Sequence, residues 1–98
     1  MHIREFQKKI EDIYGERDGA RGLEGTFMWF AEEVGELSRA LRDGTAEERS
    51  AEFADAFAWL ITLASLSGVD LEAAAEAKYG RGCPRCGLTP CDCRHRAQ

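Results

Sequence analysis

Five carboxylates dominate a chemical reading of this chain: Glu32, Glu33 and Glu36 in one stretch, Glu52 and Asp55 in another. Glu33 and Glu36 lie three residues apart, as do Glu52 and Asp55. On a helix that spacing sets both side chains on one face, about one turn apart. Asp43-Gly44-Thr45 breaks the chain between the two stretches, and a reversal there makes the flanking helices antiparallel neighbours. Glu36 and Glu52 are each eight residues from Gly44, Glu33 and Asp55 each eleven, and Trp29 and Trp59 each fifteen. Two carboxylate pairs are therefore expected at one level of a helical hairpin, with a tryptophan from each side one turn further along. Four like charges so close repel strongly, and a divalent cation among them resolves the conflict. Mg²⁺ is the expected ion, with Mn²⁺ as an alternative, because it takes oxygen ligands in octahedral geometry and retains several waters. Such a site suits phosphate chemistry: phosphate oxygens complete the shell, and a water acidified by the ion is the nucleophile.

A single Glu pair at this spacing usually marks a solvated face. Two pairs in facing register, each beside apolar and aromatic residues, point to partly desolvated carboxylates instead. Glu32 lies about 100° round the helix from Glu33. Its place is therefore to hold a second ion, to support the first set or to orient water, and Glu32 and Glu33 are the candidate catalytic pair.

The elements that must position these groups are helical. Ile3, Phe6, Ile10 and Ile13 recur at helical spacing over residues 2–13, which predicts an amphipathic helix. Residues 14–22 hold Gly15, Gly19 and Gly22 among Arg17, Asp18 and Arg21. They read as a flexible charged loop, either a solvated connector or a flap whose Arg17 or Arg21 reaches a substrate phosphate. Residues 23–42 form a second helix with an apolar stripe of Leu23, Phe27, Phe30, Val34, Leu37 and Leu41, beside a second stripe of Trp29, Glu33, Glu36 and Ala40. Gly35 costs this helix about 1 kcal/mol relative to Ala, and close approach of another backbone is its expected reason. Thr45 and Glu48 form a capping box for a third helix over 46–67. Phe53, Phe57, Leu60 and Ala64 line one of its faces, and Glu52, Asp55, Trp59 and Thr62 an adjacent one. Its C-terminal part is apolar all round and wants burial on several sides, which suggests a subunit interface. Gly68 ends it, and Asp70 caps a short alanine-rich helix over 71–79. The expected fold is all-α: an antiparallel helical hairpin plus flanking helices, a bundle completed by dimerisation.

The phrase Trp29-Phe30-Ala31-Glu32-Glu33-Val34-Gly35-Glu36-Leu37, followed by Glu52-x-x-Asp55, resembles the signature of the MazG-like nucleotide pyrophosphohydrolases. These belong to the all-α nucleoside triphosphate pyrophosphatase superfamily, and the resemblance spans residues 23–80. It implies Mg²⁺-dependent cleavage of a nucleoside triphosphate between the α- and β-phosphates, giving a nucleoside monophosphate and pyrophosphate. Carried over by position, Glu33, Glu36, Glu52 and Asp55 would be the metal ligands, with Glu32 supporting. The resemblance also implies a homodimer or a dimer of dimers. It implies a late Lys and Asn for phosphate and base contacts; Lys78 suits the first role, and no Asn occurs anywhere in the sequence. Trp29 and Trp59 are either core packing or a stacking wall for a nucleobase, and Arg21 and Lys78 are the candidate phosphate contacts.

The four cysteines all fall between Cys83 and Cys93. Cys83-Pro84-Arg85-Cys86 is a CxxC half-site, followed by Cys91-Asp92-Cys93 and His95. Tetrahedral Zn²⁺ takes four Cys or His ligands, so Cys83, Cys86 and Cys91 with either Cys93 or His95 form a candidate zinc set; a reduced tail without metal is the alternative. The domain organisation is a MazG-like domain over 1–80 and a Cys-rich tail over 81–98.

Eighteen acidic against thirteen basic residues give a formal net charge of −5, which argues against nucleic acid or an acidic membrane as partner. No long apolar run or signal-peptide pattern is present, so a cytoplasmic protein is expected. In that reducing compartment, clustered cysteines favour a metal over disulfides. The rival to an enzyme is a non-catalytic helical dimer that uses a zinc-binding tail as an interaction module.

Overall fold

The computed structural model describes residues 1–94, and in them the chain forms three α-helices and no strand. They are α1 (Ile3–Asp43), α2 (Ala46–Leu66) and α3 (Leu71–Tyr79). Residues 14–22 are helical rather than a loop, so α1 is two limbs, 3–21 and 23–43, meeting at Gly22. The glycines suggested a break at three places, but only Gly22 leaves helical geometry, with φ 84° and ψ 174°. That conformation belongs almost only to glycine. Gly15 and Gly19 stay helical because the contacts of Asp18 with Thr62 and of Arg21 with Trp59 on α2 outweigh a propensity cost of about 1 kcal/mol each.

The other boundaries follow their capping chemistry. Thr45 Oγ1 accepts from the Glu48 N–H, and the Glu48 carboxylate accepts from the Thr45 N–H, at 3.1 and 2.8 Å. At the far end of α2 the Val69 N–H bonds to Ala64 O and the Gly68 N–H to Ser65 O, which satisfies the last turn and stops the helix. Asp70 caps α3 through the Ala73 N–H, and α2 and α3 meet at 96°.

α1 packs chiefly on α2 and secondarily on α3. Near the start of α1, Phe6 stacks on Phe57 with centroids 5.3 Å apart, and Gln7 bonds to Ser65 Oγ and Val69 O. Arg4 pairs with Asp70 and Glu72, tying α1 to α3. In the second limb, contacts fall in reverse order along the helices: Trp29 meets Trp59, and Glu33 meets Glu52.

The stripe that faces α2 is the polar and aromatic one. Thr26, Glu33 and Ala40 are buried, whereas Leu23, Phe27, Val34 and Leu41 of the apolar stripe are exposed. Phe53, Phe57 and Leu60 of α2 are exposed as well. Among the described residues the buried apolar side chains are Ile10, Ala40 and Ile61, and of these Ile61 alone is fully buried. The Cα radius of gyration is 15.8 Å, against about 13 Å for a compact domain of this length. Gly35 faces open space with no atom within 4 Å of where a Cβ would lie, so close helix approach within the chain is not its reason. Among the described residues no single helix is long and apolar enough to cross a membrane.

Candidate functional site

The second limb of α1 and the first half of α2 bring Glu33, Glu36 and Glu52 together, with one oxygen from each carboxylate within 4.8 Å of the others. The i, i+3 spacing on α1 supplies two of the three, and pairing with α2 supplies the third. Their exposures differ sharply: Glu33 is buried, Glu52 half-buried and Glu36 exposed. Glu33 is only 6% exposed, and its Oε2 is buried without a hydrogen-bond partner. An ionised carboxylate in that position is costly. Burial first, then a hydrogen bond with Glu52 and the charges of Glu52, Glu36 and Asp55, push the Glu33 carboxyl up to about 8. At neutral pH this surrounding favours the protonated form of Glu33. Asp55 is pushed up as well, by burial and then by Glu52 and Glu36. It lies beside the group of three rather than within it. Glu32 is exposed on the neighbouring face.

Asp55 also lines a cavity of about 270 Å³ together with Tyr14, Arg17, Asp18, Arg21, Trp59 and Thr62. Its wall is built by the segment expected to be a loop. Arg21 donates from one nitrogen to Asp18 Oδ1 and to Thr26 Oγ1, both at 3.0 Å. Thr26 Oγ1 donates in turn to the Gly22 carbonyl at 2.7 Å, which fastens the kink. The Arg21 guanidinium lies over the Trp59 ring, 4.9 Å from its centroid, a favourable placement for a cation. Trp29 and Trp59 stack across the two helices with centroids 6.4 Å apart and planes 11° from parallel. Trp59 is half-buried and Trp29 is exposed, so the pair is partly packing and partly surface.

Asp18 is the site residue that sequence reasoning missed. It is 6% exposed, anchors Arg21, and accepts from Thr62 Oγ1 at 3.4 Å. The signal was present: Ile10, Tyr14 and Asp18 continue one helical face at i, i+4, i+8, which the intervening glycines obscured. Lys78 is on α3, outside both the carboxylate group and the cavity lining, with its ammonium 5.6 Å from the Tyr79 ring centroid.

In the tail, Cys83, Cys86, Cys91 and Cys93 gather with one sulfur from each within 4.8 Å of the others, close enough to share one metal ion. All four are free thiols. Backbone N–H groups of Cys86 and Arg85 hold Cys83 down to about 6. Hydrogen bonding to Cys91 and burial push Cys93 up to about 12. His95, the alternative fourth ligand, lies outside the described residues.

The second limb of α1 and the first half of α2 thus set a carboxylate group beside a cavity lined by Trp59, Arg17 and Arg21, within an all-helical chain. The family model of the MazG nucleotide pyrophosphohydrolase domain matches residues 21–86. The chain therefore belongs to the MazG nucleotide pyrophosphohydrolase family. No curated protein matches it significantly.

Proposed function

We propose that this protein is a Mg²⁺-dependent nucleoside triphosphate pyrophosphohydrolase, with Mn²⁺ as a substitute ion, releasing a nucleoside monophosphate and pyrophosphate. The observation that carries this reading is Glu33: a buried carboxyl with an unpartnered oxygen, gathered with Glu36 and Glu52 so that one oxygen of each lies within 4.8 Å of the others. A buried carboxyl oxygen without a partner is a cost that a fold retains for a reason, and a divalent cation fits a donor set made wholly of carboxylate oxygens. Glu33, Glu36 and Glu52 would hold the ion, with Asp55 completing the set from the cavity side. When bound, the cation supplies Lewis-acid polarisation of the phosphate oxygens and acidifies the attacking water.

The remaining work falls to side chains. Arg17 and Arg21 line the cavity beside Asp55 and offer positive charge to a triphosphate. Asp18 and Thr26 keep Arg21 in place, so its guanidinium is positioned before substrate arrives. Trp29, the more exposed of the tryptophan pair, offers an aromatic face to the base, and Trp59 backs it. Glu32, exposed beside the cluster, accepts the proton of the attacking water. One P–O bond forms to that water as one bond of the α–β bridge breaks. Lys78 has no place in the cavity lining and is left out of this reading.

The same reading includes a homodimer. Exposed Leu23, Phe27, Val34 and Leu41 on α1, with Phe53, Phe57 and Leu60 on α2, leave the apolar faces of two bundle helices without cover. A second copy of this chain supplies it, and the high radius of gyration of the single chain supports that. Residues 1–80 then form the enzymatic domain and 81–98 an appended tail.

The test is pyrophosphate release from a panel of nucleoside triphosphates, with Mg²⁺ and with EDTA. Release that needs Mg²⁺ and is lost by at least about 100-fold in Glu36→Ala and Asp55→Ala supports the assignment. Full activity in either variant, or no release by folded, cation-binding protein, overturns it.

A further inference from the structure

The cysteine cluster takes no part in that reaction and calls for its own account. We propose that Cys83, Cys86, Cys91 and Cys93 hold one Zn²⁺ ion in a closed tetrathiolate site that folds residues 81–94 onto themselves.

The geometry fits one ion. Zn–S bonds of about 2.3 Å at the corners of a tetrahedron place sulfurs about 3.8 Å apart. Cys83 Sγ and Cys93 Sγ are 3.8 Å apart, and one sulfur from each of the four cysteines lies within 4.8 Å of the rest. A disulfide needs about 2.05 Å between sulfurs, so the 3.8 Å pair is unbonded.

The backbone is shaped for the same purpose. The Cys83 N–H bonds to Leu88 O at 3.0 Å, and the Gly87 N–H returns to Cys83 O at 2.7 Å. These close a tight turn around the Cys83–Cys86 half-site, with Gly87 at φ 76°, where a side chain is strained. Backbone N–H groups also aim at the sulfurs: Asp92 N is 3.5 Å from Cys86 Sγ, and Cys93 N is 3.3 Å from Cys91 Sγ. N–H groups directed at sulfur stabilise thiolates, the form that binds metal.

The segment has little else to hold it. Residues 81–94 contain no helix or strand, and they bury no side chain fully. A structural zinc supplies folding free energy to such a stretch. Four thiolates around Zn²⁺ leave a double negative charge, and Arg81, Arg85 and Arg94 lie in the same segment to offset it. Four sulfurs are enough to fill a tetrahedral shell around one ion, which leaves no ligand position open, as a structural rather than a catalytic site requires. His95 is not needed to close it.

The test is titration of the full-length, reduced, metal-free protein with Zn²⁺, and with Co²⁺ as a spectroscopic probe. The expected result is about one tightly held zinc per chain and a Co²⁺ form with intense thiolate-to-cobalt charge transfer. Cys83→Ser and Cys93→Ser should each lose both, with helical circular dichroism unchanged, while His95→Ala keeps both. Zinc should also protect Arg85 from trypsin, and chelation should expose it. Two results overturn the proposal: four thiols that react freely with a thiol reagent in excess Zn²⁺, or zinc retained by Cys93→Ser but lost by His95→Ala.

Discussion

Replacing Glu33 with Gln keeps the shape of the side chain and removes its titration, and its consequence can be worked through in advance. In the folded chain Glu33 holds its proton up to about pH 8, against an ordinary value of 4.5 that applies once the chain unfolds. Between those two values the folded state binds the extra proton, so stability falls as pH rises. It is fully present below 4.5 and lost on passing about 8. The whole interval corresponds to about 5 kcal/mol at 1.36 kcal/mol for each pH unit, of which about 2 kcal/mol is lost between pH 6 and pH 8. For a domain of this size 2 kcal/mol is about 8–16 °C in melting temperature. Asp55 titrates in the same sense and Cys83 in the opposite one, so the informative quantity is the difference between wild type and Glu33→Gln. Thermal and urea unfolding in EDTA at pH 6 and pH 8, at one protein concentration, supplies it. Glu33→Gln should gain on the wild type as pH rises, and should be the more stable protein at pH 8. Excess Mg²⁺ should then reverse the order at pH 8, because the cation displaces the proton from Glu33 in the wild type and finds a poorer site in the variant. Parallel pH dependences for the two proteins would refute the claim that Glu33 is a buried acid.

Two further predictions concern the segment that shapes the cavity. Asp18→Ala removes the buried partner of Arg21 and of Thr62; it should cost about 1–3 kcal/mol in denaturant unfolding and raise KM for the triphosphate more than it lowers kcat. Equal KM in wild type and variant would separate Arg21 from substrate binding. Gly22→Ala meets no atom within 4 Å, so its cost is backbone conformation alone. At φ 84° and ψ 174° it should lower stability by about 1–3 kcal/mol. An unchanged melting temperature would show that α1 does not need the kink.

The amino-acid sequence by itself determined the all-helical class and the helix caps at Thr45, Gly68 and Asp70. Apolar spacing, the Thr45–Glu48 box and the Gly68 and Asp70 signals are local, and local rules decided them. The equal distances of Glu36 and Glu52 from Gly44 were enough to bring those two together, because helical rise is uniform and the turn is short. The cysteine spacing was enough to predict that Cys83, Cys86 and Cys91 cluster with either Cys93 or His95, since they lie within a short stretch; the gathering of Cys93 with the other three sulfurs is seen only in the fold. Other features were decided only by tertiary structure. Residues 14–22 became helix because Asp18 and Arg21 gain contacts across to α2 that no local propensity contains. The division of labour among the carboxylates also came from packing. Glu33, Glu36 and Glu52 have the same chemistry in isolation, and the depth of Glu33 beneath α2 is what makes it the acid that keeps its proton. The choice of face was equally non-local: two parallel stripes on α1 were legible, but which one turns toward α2 depends on both helices at once. Glu33 of the polar and aromatic stripe turns inward because Glu52 stands opposite, and Leu23, Phe27, Val34 and Leu41 of the apolar stripe are left at the surface.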